Sequence, residues 1–175
     1  STDINQIINQ IHKNPLDKYS FAHSFLRHWM IELGIGHDYR IKPIQGFASI
    51  IEIKDDNRKW VNLVDKGFGA GQLFCILLKI ASVINATTKN DPRDNEPQII
   101  LIEEPEGNLH PKLQADLVDM FTEANQLANI RFVIETHSEY MIRKCQLLYK
   151  LVKDVLLGPT YCKQMVLEIS AHPPP

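Results

Sequence analysis

The sequence predicts an α/β fold in which a parallel sheet is flanked by helices. Two short apolar runs, Ile99–Ile102 and Arg131–Ile134, are rich in β-branched residues and too short for helices. Each precedes a helix-forming segment, and strand, helix, strand, helix with short links is the order of parallel strands joined by helical crossovers. A third observation lies upstream, where three alternating runs between Tyr39 and Val64 indicate a small antiparallel β region.

Taken in order, residues 1–14 carry Ile4, Ile7, Ile8 and Ile11 at helical spacing, stopped by Pro15. A second helix is expected from about Ser20 to Leu33, with Phe21, Phe25, Trp29 and Leu33 on one face and Gly34 and Gly36 ending it. That aromatic stripe reads as core. His23 and His28 are five residues apart, do not share a face and read as surface or rim residues. The runs Ala48–Lys54 and Trp60–Val64 flank the polar Asp55–Lys59 segment and should form a hairpin, while Pro43 keeps its own strand at an edge.

A glycine-rich turn, Gly67–Gln72, then opens a long apolar helix that buries Leu73, Ile76, Leu77, Ile80 and Ile84. Small residues at a helix start let backbone amides approach an anion where the peptide dipoles favour negative charge. Residues 86–97 form a polar loop without assigned chemistry. After the strand at 99–102, a helix is expected from about Pro111 to Ala128, facing the sheet with Leu113, Leu117, Met120, Phe121, Ala124 and Leu127. Ser138 is placed to cap the last helix, which carries Met141, Cys145, Leu148 and Val152. Cys162–Ile169 reads as a closing strand.

Composition is that of a soluble globular domain: 44% hydrophobic residues, 23% charged and a formal net charge of -2. Near-neutral charge gives no global footprint for nucleic acid. No uninterrupted apolar run of about 18 residues offers a membrane span and no secretory signal opens the chain, so a cytoplasmic location without membrane contact is expected. Cys75, Cys145 and Cys162 are odd in number and lack C-x-x-C spacing, which favours buried, reduced thiols.

The chemistry concentrates at the strand ends. Glu103 and Glu104 close one strand and His137 follows the other, and sites in parallel sheets form at such carboxyl ends. Alternating strand side chains let Glu103 and Glu104 face different partners, one a metal ion and one a water.

On these residues the chain resembles the ATP-binding-cassette type of ATPase, in particular soluble prokaryotic ATPases related to the chromosome-organising SMC proteins and the OLD-family nucleases. The resemblance covers most of residues 40–150. Ile99–Glu104 looks like the Walker B strand, with Glu103 at the magnesium-linked position and Glu104 at the catalytic glutamate. Pro105–His110 is similar to the D-loop, His137 to the switch histidine, and Phe68-Gly-Ala-Gly-Gln72 to the signature motif, with Gly69 in place of the usual serine.

The resemblance implies ATP and Mg2+ as ligands and a P-loop-type parallel sheet, here incomplete. Catalysis would fall to Glu104 and His137, metal binding to Glu103, and nucleotide contacts to Gly67, Gly69, Gly71, Gln72 and His110. It also implies a homodimer through the ATPase face and a possible nucleic-acid or nuclease partner. No Gly-Lys pair occurs in the sequence, so the G-x-x-x-x-G-K-[ST] phosphate cradle is not present, and the chain begins without methionine. It is therefore expected to be the C-terminal half of a longer ATPase. Its expected parts are a helical segment at 1–36, the antiparallel region at 37–66, the ATPase core at 67–155 and a tail at 156–175.

Two other classes fit parts of the pattern. Glu103, Glu104, Glu106, His110, Glu135 and His137 offer ligands for a metal-dependent hydrolase, although no H-E-x-x-H frame organises them. A non-catalytic interaction module of ATPase shape is the other. The glycine turn also suggests a dinucleotide site, but its spacing is G-x-G-x-G rather than G-x-G-x-x-G.

Overall fold

The computed structural model describes residues 8, 11, 15–44, 48–87 and 97–155. The chain divides into two compact units, Ser1–Lys89 and Asn90–Pro175. Ile8 and Ile11 are buried and helical. The rest of the expected first helix and the closing strand at Cys162–Ile169 lie outside the described residues, as does Cys162.

The first unit begins with helix α1 (Phe21–Glu32), capped by Ser20, whose hydroxyl accepts from the His23 amide. Ala22, Phe25, Leu26, Trp29 and Met30 are buried, whereas Phe21 is 51% exposed and stands off the expected core stripe. Its place is taken by Ala22, Leu26 and Met30, so the apolar face is rotated by about one residue from the aromatic one. Gly34 adopts a left-handed φ of 68° after the helix end. Gly36 is required sterically, since a Cβ there would sit 2.4 Å from Ile53 Cγ2 and 2.6 Å from the Lys54 carbonyl oxygen.

Strands β1 (Asp38–Ile44), β2 (Ala48–Lys54) and β3 (Trp60–Asn62) form an antiparallel sheet in that order, with β1 and its Pro43 at an edge. Glu52 accepts from Arg40, its register partner, and from Lys42, and these two cations hold its carboxyl below the ordinary carboxylate value. The Arg40 guanidinium also lies 4.2 Å from the Trp60 ring centroid. The third strand is shorter than the sequence implied. Asn62 turns its side chain onto the Val64 amide and starts a single 3-10 turn, Leu63–Lys66.

Helix α2 (Phe68–Thr87) is the core of this unit, with Leu73, Phe74, Leu77, Leu78, Ile80, Ala81 and Ile84 buried. It packs against α1, and the Tyr39 and Phe74 rings, 5.5 Å apart, join it to β1. Full burial of such side chains is worth roughly 1.5–3 kcal/mol each. By length and composition α2 could also cross a membrane, a property it shares with buried core helices of soluble proteins.

In the second unit, β4 (Gln98–Glu103) and β5 (Ile130–Glu135) pair in parallel, Glu103 beside Glu135. Helix α3 (Pro111–Ala128) connects them and α4 (Glu139–Val155) follows. Ile100, Phe132 and Ile134 are buried, and the Phe121 and Phe132 rings meet at 4.9 Å between α3 and β5. Leu127, expected on the sheet side, is 37% exposed and Ala128 is buried in its stead, while Ala124 is buried as expected. The other face of β4 is bare, with Ile99 61% and Leu101 73% exposed. Parallel strands are ordinarily covered on both faces. The architecture is thus mixed α/β with a parallel sheet of two strands among the described residues.

Candidate functional site

The carboxyl ends of β4 and β5 carry two loops, 104–110 and 136–138, and most of the expected site residues sit on them. Glu103 ends β4 on the same side as Ile99 and Leu101, as strand alternation requires, and is exposed. Glu104 comes one residue later, yet its amide still donates to the Glu135 carbonyl at 2.9 Å, extending the ladder. Its φ of 45° lies in the left-handed region, which breaks the strand alternation and turns the carboxylate out of the sheet's pattern. There Glu104 Oε1 approaches His137 Nε2 to 3.5 Å, within ion-pair range but long for a direct hydrogen bond. Both side chains are more than half exposed, so a water or an anion can reach them together.

The first loop is built as successive tight turns. Pro105 is buried at its head, the Gly107 amide donates to the Glu104 carbonyl at 3.1 Å, and the Leu109 amide donates to the Glu106 carbonyl at 3.1 Å. Asn108 takes the left-handed φ of 60° that asparagine tolerates. His110 caps α3, its Nδ1 accepting from the Lys112 amide at 3.3 Å, which gives this exposed residue a structural role beside any nucleotide contact.

The second loop is set by two buried hydroxyls. Thr136 accepts from the Ser138 amide, and Ser138 caps α4 by accepting from the Met141 amide at 3.1 Å. Side chains then join the loops. Glu106 Oε1 accepts from the His137 amide at 2.7 Å, while Ser138 Oγ donates to Gln114 Oε1 at 2.5 Å and Gln114 Nε2 donates to the Leu109 carbonyl at 2.9 Å. Glu106 entered the sequence reading only as one potential metal ligand, and nothing in the sequence singled out Gln114. Both bonds link residues far apart in the chain, and the E-P-E spacing was the only trace of the first.

The residues at 67–72 belong to the first unit. Here the expected glycine turn is a correction: helix α2 already begins at Phe68, so Gly69, Ala70, Gly71 and Gln72 are helical, and only Gly67, with φ 92°, departs from it. The 3-10 turn brings the chain to the helix direction before the glycines are reached, leaving Gly67 as the single junction. Val64 and Phe68, 81% and 75% exposed, flank it.

The ligands expected for a metal-dependent hydrolase do not converge. Among the described residues no three His, Cys, Asp or Glu side chains form a group that could hold a metal ion. Glu106 is turned to the His137 amide and His110 to its helix end, which removes two of the six from any common centre. Magnesium bound with a triphosphate asks for less, one or two carboxylates plus phosphate oxygens and water rather than a protein cage, and Glu103 and Glu104 are exposed at the end of β4.

The profile of the AAA ATPase domain family matches residues 2–142. The lipoprotein-releasing system ATP-binding protein LolD of Rickettsia felis is 36% identical over 62 residues, 35% of this chain and 28% of that protein. Its counterpart in Rickettsia bellii is 37% identical over 62 residues, with the same coverage. The protein of that name in Buchnera aphidicola is 35% identical over 64 residues, 37% of this chain and 28% of its own length. The chain thus spans just over a quarter of the length of these curated relatives.

Proposed function

This chain belongs to the AAA ATPase domain family, and from that membership we propose that its second unit supplies the hydrolytic end of an ATP site. The observation that carries the reading is the Glu104–His137 pair, 3.5 Å apart and open to solvent where two parallel strands end. Glu104 orients and deprotonates the attacking water, and His137 donates to the γ-phosphate. Glu103, exposed at the end of β4, holds Mg2+ through its water shell. When bound, that ion neutralises charge on the phosphate oxygens.

In this proposal the phosphates are cradled by a segment other than residues 1–175, since no G-x-x-x-x-G-K-[ST] sequence occurs among them. Gly67 and the first turn of α2 act from the opposite protomer of a homodimer, where a helix start favours an anion. His110 contributes from the D-loop position. The motif Glu103-Glu-Pro-Glu-Gly-Asn-Leu-His-Pro111 resembles SMC- and OLD-type ATPases, which favours a cytoplasmic, non-transport role with nucleic acid or a nuclease as partner. The LolD proteins belong by name to a lipoprotein-releasing system, and their short shared span supports the ATPase reading without carrying that role here.

The deciding experiment is Glu104→Gln in a protein that also carries the cradle. ATP binding is retained and turnover falls on the order of 100-fold or more, as loss of a general base requires. Unchanged turnover sinks the assignment.

A further inference from the structure

We infer that Glu106 is a positioning residue, which fixes His137 against Glu104 by holding the loop after β5 to the loop after β4. Besides the Glu104–His137 pair itself, three links join these loops among the described residues. The Glu104 amide to the Glu135 carbonyl, at 2.9 Å, sets where the first loop leaves the sheet. Gln114 ties the Leu109 carbonyl to the Ser138 hydroxyl, and so bears on the residue after the histidine rather than on the histidine. Glu106 reaches the His137 backbone, its Oε1 accepting from the amide at 2.7 Å, whereas Glu104 approaches the ring alone at 3.5 Å.

The geometry makes this a control on the histidine's position rather than a general brace. The His137 side chain is 51% exposed and its Nε2 stands 3.5 Å from Glu104, so packing alone constrains the ring weakly. Thr136 and Ser138 on either side are buried, Thr136 accepting from the Ser138 amide and Ser138 Oγ bonded to Gln114 and to the Met141 amide. Between these anchored neighbours the His137 backbone is itself held at its amide, by Glu106. A carboxylate acceptor makes such a bond about twice as strong as a neutral one. The second oxygen, Oε2, is buried and has no hydrogen-bond partner among the described residues, so the carboxylate's hydrogen bonding is committed to His137. Neither Glu104 nor His137 needs Glu106 for its chemistry, and Glu106 acts on the reaction only through the histidine.

The kinetic consequence rests on the ATPase reading, whereas the tether does not, and two measurements separate them. The first is hydrogen exchange at the His137 amide in the 175-residue chain. Glu106→Ala should speed it about tenfold or more, the loss of one bond to a charged acceptor, and Glu106→Gln should fall between the two. Protection at Leu117 and Phe121 reports that each variant is folded. If Glu106→Ala loses that protection, the comparison rests on Glu106→Gln. Exchange at His137 that matches the unaltered chain in a folded variant overturns the tether, whatever happens to ATP.

The second is turnover in the cradle-bearing protein. Glu106→Ala should lower kcat with KM for ATP unchanged, and adding it to His137→Ala should cause no further loss. Additive losses overturn a role exerted through the histidine. If the unaltered protein does not hydrolyse ATP, the ATPase reading falls, and the exchange result alone decides the tether.

Discussion

Glu104 holds a φ of 45°, in the region that asparagine at 108 and 129 occupies with ease and that a longer L side chain enters at a cost of roughly 1–2 kcal/mol. The exposed pair it makes with His137 returns about 0–1 kcal/mol. Glu104→Asn should therefore leave stability unchanged or raise it by up to about 1 kcal/mol, while removing the proposed base. Urea denaturation reads the first effect; a clear loss of stability would show that the carboxylate supports the fold.

A buried acid that keeps its proton more tightly in the folded chain makes stability fall at alkaline pH. Burial pushes the Cys145 thiol up to about 11 from 9.0, and burial, with the Asp38 charge, pushes the Tyr39 phenol up to about 12 from 10.0. Both hold their proton more tightly folded than unfolded. Their stabilisation is complete below the unfolded values and is lost as pH rises through the folded ones. The denaturation midpoint should fall between pH 9.0 and about 12, and a midpoint flat across that window would contradict the burial of these groups.

Among the elements, α3 and β5 share the closest aromatic contact of the second unit, Phe121 against Phe132, each 3% exposed. Phe132→Ala should cost about 3–5 kcal/mol by calorimetric or denaturant unfolding. A loss below about 1 kcal/mol would mean that the sheet is not anchored through this ring. The bounds of α3 were legible because Pro111 is a good first helical residue and its apolar residues recur at helical spacing. Strand β5 and the Ser138 cap were legible for similar local reasons. The rotation of α1 away from Phe21 was not, since Ala22, Leu26 and Met30 make as good an apolar stripe as the aromatics do. Nor was the helical start of α2 through Gly69 and Gly71, where tertiary packing of Leu73, Phe74 and Leu77 overrides weak helix propensity. The hydrogen bonds of Glu106 and Gln114 depend on which side chains bridge two loops, a relation that spacing does not encode.

At the scale of the molecule, the sequence accounts for a mixed α/β chain and for two acidic and histidine-bearing strand ends, and the division at residue 89 falls within the polar loop read at 86–97, which carried no sign that it separates two units. If the phosphate cradle lies in another segment, this chain alone should show no saturable binding of Mg-ATP by calorimetry. One-to-one binding would require a nucleotide site of another kind within these residues. The Ile99 and Leu101 face of β4 is exposed, whereas parallel sheets are ordinarily covered on both faces.

The left-handed backbone at 104 also has a consequence over evolutionary time. Backbone strain favours asparagine or glycine at that position, and the proposed hydrolytic chemistry favours glutamate. In a lineage released from hydrolysis, position 104 should drift first, ahead of His137, whose replacement relieves no such backbone strain. A descendant that has acquired Glu104→Asn beside an intact histidine would be the fossil of a lost ATPase rather than a variant of a working one.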